Sequence, residues 1–410
     1  MKTLRAPVGF SAISGPPVAT VVRLVRAGGS DGSATYRRHF PSRLSRVLLR
    51  TTAGALLVSA FAAIEARGQD VPPAPVSVYH APTDPAELLK VDEPMRRYFR
   101  ERVPSRVHGG AQLRQLVDAI LVPDGLHFAY DVEATFDARE TFRQRRGNCL
   151  SFAFLIVAVT RDFGYTASFQ NATDAFHWDR YGDLVASVHH INVRVETSGE
   201  SYLVDLRPDL VPGTGFAGMQ VIDDERAFAH FYAAVGFFKL LHAQSAEALQ
   251  FMILATQTDP DCADAWANLG ALHSHLGNLP EARACFERSL REDSRGVVAM
   301  DGFVSVLQRL GSPEDLQIAA KYERRAQAIR DRNPYYQQCL AARAQERGDW
   351  FAAEKLLRRA IALKDDEPRF YEQWVKVLLQ LGRDDAARRA ATKLEKLRHR
   401  LDAVPVHPVP

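Results

Sequence analysis

Cysteine is scarce in this chain: four residues in 410, at Cys149, Cys262, Cys285 and Cys339. None stands in the paired spacing of a structural zinc site, so no metal is expected. A disulfide framework does not fit either. Cys262 precedes a helix, while Cys285 falls midway along its antiparallel partner. The axial mismatch is on the order of 10 Å, beyond what the bond tolerates. These two and Cys339 read as small helix-packing residues. Basic clusters interleaved with aromatics are missing too, which removes nucleic acid as a partner. The apolar run TTAGALLVSAFAAI, 51–64, has fourteen residues, short of the roughly 20 that span a bilayer. No integral membrane span is expected in the mature chain.

What is present is unevenly charged. The first fifty residues hold nine Lys or Arg and one acid, Asp31; the remainder holds 43 basic and 48 acidic residues. The body is therefore mildly acidic and the start strongly basic. Basic residues, then the run at 51–64, then small residues before Asp70 form the pattern of an export signal. Cleavage is expected between Ala62 and Gln69. Arg37-Arg38-His39-Phe40 bears a faint likeness to a twin-arginine signal, with Pro41 where an apolar residue is expected. Residues 1–69 are read as a basic leader, with 1–40 an extension ahead of the signal. The expected location is the periplasm or another exported site, with a membrane tether if the signal stays uncleaved.

From 229 onward the chain repeats. In a unit numbered from Ala263, Trp266 is at position 4, Gly270 at 8, Gly277 at 15, Ala282 at 20 and Phe286 at 24. A unit from Ala229 puts Tyr232 at 4, Gly236 at 8 and Ala248 at 20. Units from Pro334 and Pro368 put Gly348 and Gly382 at 15, and Ala353 and Ala387 at 20. Residues 297–333 fill the gap with three extra residues, placed around Ser312-Pro313. Small residues at 8 and 20 let two antiparallel helices approach; large ones at 4 and 24 fill the space between pairs. Such pairs bury a core only by stacking, which produces a superhelix with a concave groove. The pattern resembles the 34-residue tetratricopeptide repeat. About five units over 229–401 are expected, with 402–410 as a tail. The resemblance implies a protein or peptide in the groove.

Residues 84–215 have another texture. Asp84–Arg102 and Ala111–Leu121 have helical apolar spacing. Asp137-Ala-Arg-Glu140 is a capping box. Asn148 is a suitable N-cap for the apolar helical run Leu150–Phe163, closed by Gly164. A helix apolar all round lies in a core. Cys149 thus sits in the first turn of a central helix, where the macrodipole and open N–H groups lower a thiol's pKa and can stabilise an oxyanion. Downstream, Ala186–Glu196 and Ser201–Leu206 read as a hairpin across Thr197-Ser-Gly-Glu200. His189 shares a face with Ile191, Val193 and Val195 and reads as packed. His190 shares the polar face with Asn192 and Arg194 and is the better base. Asp205 on the next strand can hold its tautomer.

RGNCLSF, HINVRV and YLVDL, in that order, resemble the transglutaminase-like superfamily, a papain-like cysteine fold, over roughly 84–210. It looks closest to the bacterial branch in which such a domain precedes tetratricopeptide repeats. The resemblance implies Cys149 as nucleophile, His190 as base and Asp205 as orienter. Asn192 stands where many members carry Trp, which leaves the substrate open. Gln144 is a candidate oxyanion donor but fits a solvated helix residue better. Trp178 is a candidate cleft wall and sits in an expected loop. Tyr130-Asp131 is expected to pack near the helix.

The expected architecture is an α+β cysteine domain over 84–215 followed by an all-α repeat solenoid. The expected function is acyl transfer on an amide, with no cofactor, by a peptidase, amidase or crosslinker. The rival is an inactive adaptor that works through its repeats. A redox-sensing thiol lacks a resolving cysteine nearby.

Overall fold

The structure is a computed structural model. It describes residues 79–122, 124–181, 184–197, 199–206 and 219–402, and strands at 23–27 and 33–35. For those two strands and for 172–181, 184–189 and 399–402 it describes the backbone alone. The expected export signal at 51–64 and the tail beyond 402 lie outside the described residues.

A six-stranded antiparallel sheet organises the first half. Its strands are β1 (Arg23–Ala27), β2 (Ser33–Thr35), β5 (Thr166–Tyr181), β6 (Leu184–Thr197), β7 (Glu200–Asp205) and β8 (Met219–Ile222). The order across the sheet is β2-β1-β7-β6-β5-β8. A two-stranded parallel pair joins β3 (Ala129–Tyr130) to β4 (Arg146–Gly147). The β6–β7 hairpin turns where the sequence places it, with Thr197 opposite Glu200 and Gly199 at φ 82°. β5 is a strand across the expected loop around Trp178, whose side chain is outside the described residues. A register shift between Ala172 and His177 interrupts its ladder with β6. β1 and β2 lie inside the stretch read as leader.

Among the described residues four α-helices accompany the sheet: α1 (Glu93–Arg102), α2 (Gly109–Leu121), α3 (Ala138–Gln144) and α4 (Cys149–Asp162). The expected helix Asp84–Arg102 is split. Pro85–Glu87 is a single 3-10 turn, and α1 starts again with Asp92 accepting from Met95 N–H and Pro94 in its first turn. Proline tolerates a helix start and not its interior. Every residue of α4 from Leu150 to Thr160 is buried, and the helix packs on β5 and β6.

The second half is five antiparallel helix pairs. They are α5 (Asp224–Leu241) with α6 (Ser245–Thr258), α7 (Ala263–Leu276) with α8 (Leu279–Glu292), α9 (Val297–Leu310) with α10 (Pro313–Asp331), α11 (Pro334–Glu346) with α12 (Trp350–Leu363), and α13 (Pro368–Gln380) with α14 (Asp384–Asp402). The close approach at the small positions is explicit. A Cβ on Gly270 would lie 3.1 Å from the Phe286 ring, and one on Gly236 2.8 Å from Met252 Cγ. Ala248, Ala282 and Ala353 are fully buried. Position 15 takes the left-handed conformation in every unit: Gly277, Gly311, Gly348 and Gly382 have φ between 67° and 84°, and Ala243 holds the place in the first unit at φ 60°. The three extra residues of 297–333 do not widen the turn at 312–313, where Ser312 N-caps α10 directly. They lengthen α10, which has 19 residues against 14 in α8.

The first array helix starts at Asp224, ahead of the expected 229, and it belongs to both halves. Phe154 of α4 packs against Phe169 of β5 and against Phe228 and Phe231 of α5, with ring centroids 5.1 to 5.8 Å apart. Arg161 of α4 holds Asp224 with two hydrogen bonds of 2.6 and 2.8 Å. All these elements fall in one compact unit.

Candidate active site

The start of α4 is built by hydrogen bonds that fix the backbone on both sides of Cys149. Asn148 Oδ1 accepts from Ser151 N–H at 3.0 Å, and Asn148 Nδ2 donates to Thr135 Oγ1 at 2.7 Å. Asn148 N–H donates to the Ala134 carbonyl at 2.9 Å. Ser151 Oγ donates to the same carbonyl at 3.0 Å and accepts from Phe136 N–H at 2.8 Å. A Cβ at position 147 would fall 2.5 Å from Ser151 Cβ, so Gly147 is required by the close approach of helix and strand. Asn148 therefore fixes the backbone on either side of Cys149. Ser151 N–H is taken by its side chain and Phe152 N–H by its carbonyl. The N–H groups of Cys149 and Leu150 remain as the open donors of the first turn. Cys149 itself is half-buried.

β6 and β7 bring the other groups. His190 Nε2 lies 2.7 Å from Asp205 Oδ1. Asn192 Nδ2 donates to Asp205 Oδ2 at 3.1 Å and to Met219 Sδ at 3.4 Å. On the face of β6 read as polar, His190 is 1% and Asn192 2% exposed, as buried as the apolar face, and their partner Asp205 on β7 is 0% exposed, while Arg194 is half-buried. These polar groups pair with one another, which is what permits their burial. With Nε2 committed to Asp205, His190 Nδ1 is the nitrogen left for the thiol.

The titration of this pair follows. Burial opposes ionisation of the Cys149 thiol, but a hydrogen bond and positive charge from His190, with Ile191 N–H, outweigh it and lower the pKa. Burial likewise opposes a charged His190, yet the Asp205 carboxylate and the Cys149 sulfur raise its pKa to about 10. Both shifts favour a thiolate beside an imidazolium at neutral pH. Cys262 and Cys285 move the other way, pushed up to about 12 and about 11, chiefly by burial.

The remaining candidates separate. Gln144 Nε2 donates to Glu140 Oε1 at 2.7 Å within α3, so its amide is spent on its own helix. His189 and Trp178 lie on β6 and β5, and their side chains are outside the described residues. Tyr130 lines the opening beside Cys149, and Asp131 pairs with Arg146 at 2.8 Å. The sequence reading assigned no contact to Asn192 or to Ile191 N–H. Strand alternation puts Asn192 beside His190 and was the available signal for the first; no side-chain pattern announces a backbone donor.

The thiol opens into a cavity of about 1570 Å³ that continues along the inner faces of the first four helix pairs. Asn148, Cys149, Leu150 and Ile191 line one end; Tyr335 and Lys364 line the other. His230 and Asp264 on this wall and the buried Cys262 have donor atoms within 4.8 Å of one another. The buried Cys262 thiol stays protonated at neutral pH and would have to lose that proton to ligate a metal. No helix among the described residues is long and apolar enough to cross a membrane.

Comparisons speak to the helical half. Residues 263–295 match the tetratricopeptide repeat family model. No curated protein matches the chain. Among solved structures, MamA from Desulfovibrio magneticus RS-1 is 15% identical, with 43% of this chain and 97% of that one covered and a TM-score of 0.24. YrrB, described as a TPR protein with an unusual peptide-binding site, is 17% identical, with 42% and 89% covered and a TM-score of 0.24. BtubC from P. vanneervenii is 14% identical, with 46% and 85% covered and a TM-score of 0.26.

Proposed function

We propose that this chain is an exported cysteine acyl-transfer enzyme of transglutaminase-like type that takes its amide substrate from the groove of its own repeat array. The observation that carries the reading is the buried His190–Asp205 pair on the strands beside α4, whose first-turn residue Cys149 lines the solenoid cavity and has its thiol pKa lowered by His190. A papain-like α+β arrangement accords with a helix that presents its first-turn cysteine to a histidine on an antiparallel sheet.

In this reading the proton is already on His190 before substrate arrives. The Cys149 thiolate attacks the amide carbon; the S–C bond forms and the carbonyl electron pair moves to oxygen. The open N–H groups of Cys149 and Leu150 are placed to stabilise that oxyanion. Collapse breaks the C–N bond, and the His190 proton goes to the leaving nitrogen. Neutral His190 then takes a proton from water or an incoming amine as it attacks the thioester. Collapse of the second adduct expels the thiolate and restores the pair. Water gives hydrolysis and an amine gives a crosslink. Asp205 and Asn192 hold the imidazole and its carboxylate partner throughout.

The test is trapping. Wild type incubated with a peptide library should accumulate a thioester adduct on Cys149, read by intact-protein mass, and added hydroxylamine should release the acyl group. Cys149→Ala should form none. The absence of any adduct in wild type would leave the second reading, a protein-binding adaptor. That reading is favoured by the repeat match at 263–295 and needs no reactive sulfur.

A further inference from the structure

The turn between α6 and α7 is pinned against α5. Cys262 N–H donates to the Asp259 carbonyl at 3.1 Å, and Asp259 Oδ1 accepts from Asp261 N–H at 2.9 Å. Asp259 Oδ2 accepts from the guanidinium of Arg226 on α5. Arg226 and His230 are four residues apart and share one face of that helix. The Arg226–Asp259 ion pair therefore brings the turn, and Cys262 with it, up to His230. A His230 nitrogen, the Cys262 sulfur and an Asp264 carboxylate oxygen all lie within 4.8 Å of one another as a result. Spacing along the sequence does not show this group, because His230 lies on another helix. Cys262 is as buried as a packing cysteine, and so is Cys285, but Cys285 belongs to no such group among the described residues.

We propose that His230, Cys262 and Asp264 form a zinc site whose fourth position opens to the cavity. Sulfur and imidazole select zinc over calcium and magnesium, which take oxygen ligands. Ligands roughly 2.0–2.3 Å from a tetrahedral zinc stand ~3.3–3.8 Å apart, so the donors close by roughly 1 Å, within reach of side-chain rotation. A thiolate and a carboxylate together match the charge of the dication. Arg226, the cation that acts on Cys262, is already neutralised by Asp259. On binding, an S–Zn bond replaces the S–H bond and the thiol proton leaves to solvent. His230 and Asp264 line the cavity, while Cys262 is buried behind them. The metal has sulfur on its inner side and water in the position toward the cavity. It ties α5 of the first helix pair to α7 of the second, and it needs no reaction at Cys149.

The experiment uses the untagged full chain with Cys149→Ala, so that the activated thiol takes no metal, after bound ions are stripped with a chelator. Cobalt(II) is the coloured stand-in for zinc. One equivalent should give the strong visible bands of a tetrahedral ion and a sulfur-to-cobalt charge-transfer band in the near ultraviolet. One equivalent of zinc should bleach both and raise the melting temperature. Competition with a chromophoric chelator should give a zinc dissociation constant below about 1 μM. Cys262→Ala should remove the charge-transfer band and weaken zinc binding at least about 100-fold. His230→Gln and Asp264→Asn should each weaken it at least about tenfold, and Cys339→Ala should leave it unchanged. If Cys262→Ala does not fold, the band of the parent protein carries the answer, provided that Asp264→Asn weakens zinc and Cys339→Ala does not. No charge-transfer band in the parent, a band that survives Cys262→Ala, or a zinc affinity indifferent to all three substitutions overturns the site. The thioester trapping is read separately, so the failure of either proposal leaves the other standing.

Discussion

At the residue scale the determining fact is that two protonation equilibria are pushed toward each other. The Cys149 thiol is lowered and the His190 imidazolium is raised to about 10. Iodoacetamide should therefore modify Cys149 well below the ordinary thiol pKa of about 8.5, measured as rate against pH with peptide mapping. His190→Ala should move that midpoint upward, because the partner charge is gone while burial still opposes the thiolate. The window for the charged pair has two edges. It opens as pH rises through the depressed thiol pKa and closes as pH rises through about 10, where His190 loses its proton. The stabilisation that charged His190 lends the fold is complete below about 6.5 and is lost across that upper limb. Asn192→Ala leaves the second oxygen of a fully buried carboxylate without this donor. It should cost about 1–3 kcal/mol in urea unfolding.

At the scale of elements, what was legible was whatever had a period or a cap. The helix pairs are found because small residues recur at positions 8 and 20 and glycine at 15, and each such position makes a contact or takes a backbone angle that requires it. α4 is found from Asn148 and the apolar run behind it. β5 was not legible: FHWDRYGD has no clean alternation, and its strand is defined by its ladder with β6 rather than by a side-chain pattern of its own. The burial of His190 and Asn192 was hidden for a related reason, since their face is covered by groups from β7 and β8. The turns allow a direct test. Gly348→Ala places a side chain at φ 74° and should cost about 1 kcal/mol, while Ala243→Gly relieves the same strain in the first unit and should raise the melting temperature. Both are read by calorimetry.

At the scale of the molecule the halves share a core, and the site depends on it. Phe154 faces three aromatic rings from β5 and α5. Phe154→Ala should cost about 3–5 kcal/mol. Urea unfolding followed by alkylation of Cys149 and by helical circular dichroism should show both probes shifting together. The helical array was readable from its repeat, but the joint was not, because α5 has repeat spacing while its phenylalanines pack on Phe154 of α4. Residues of α5 line the cavity together with Cys149, so in the proposed function a long guest that shifts α5 would also change the space in which the thioester forms.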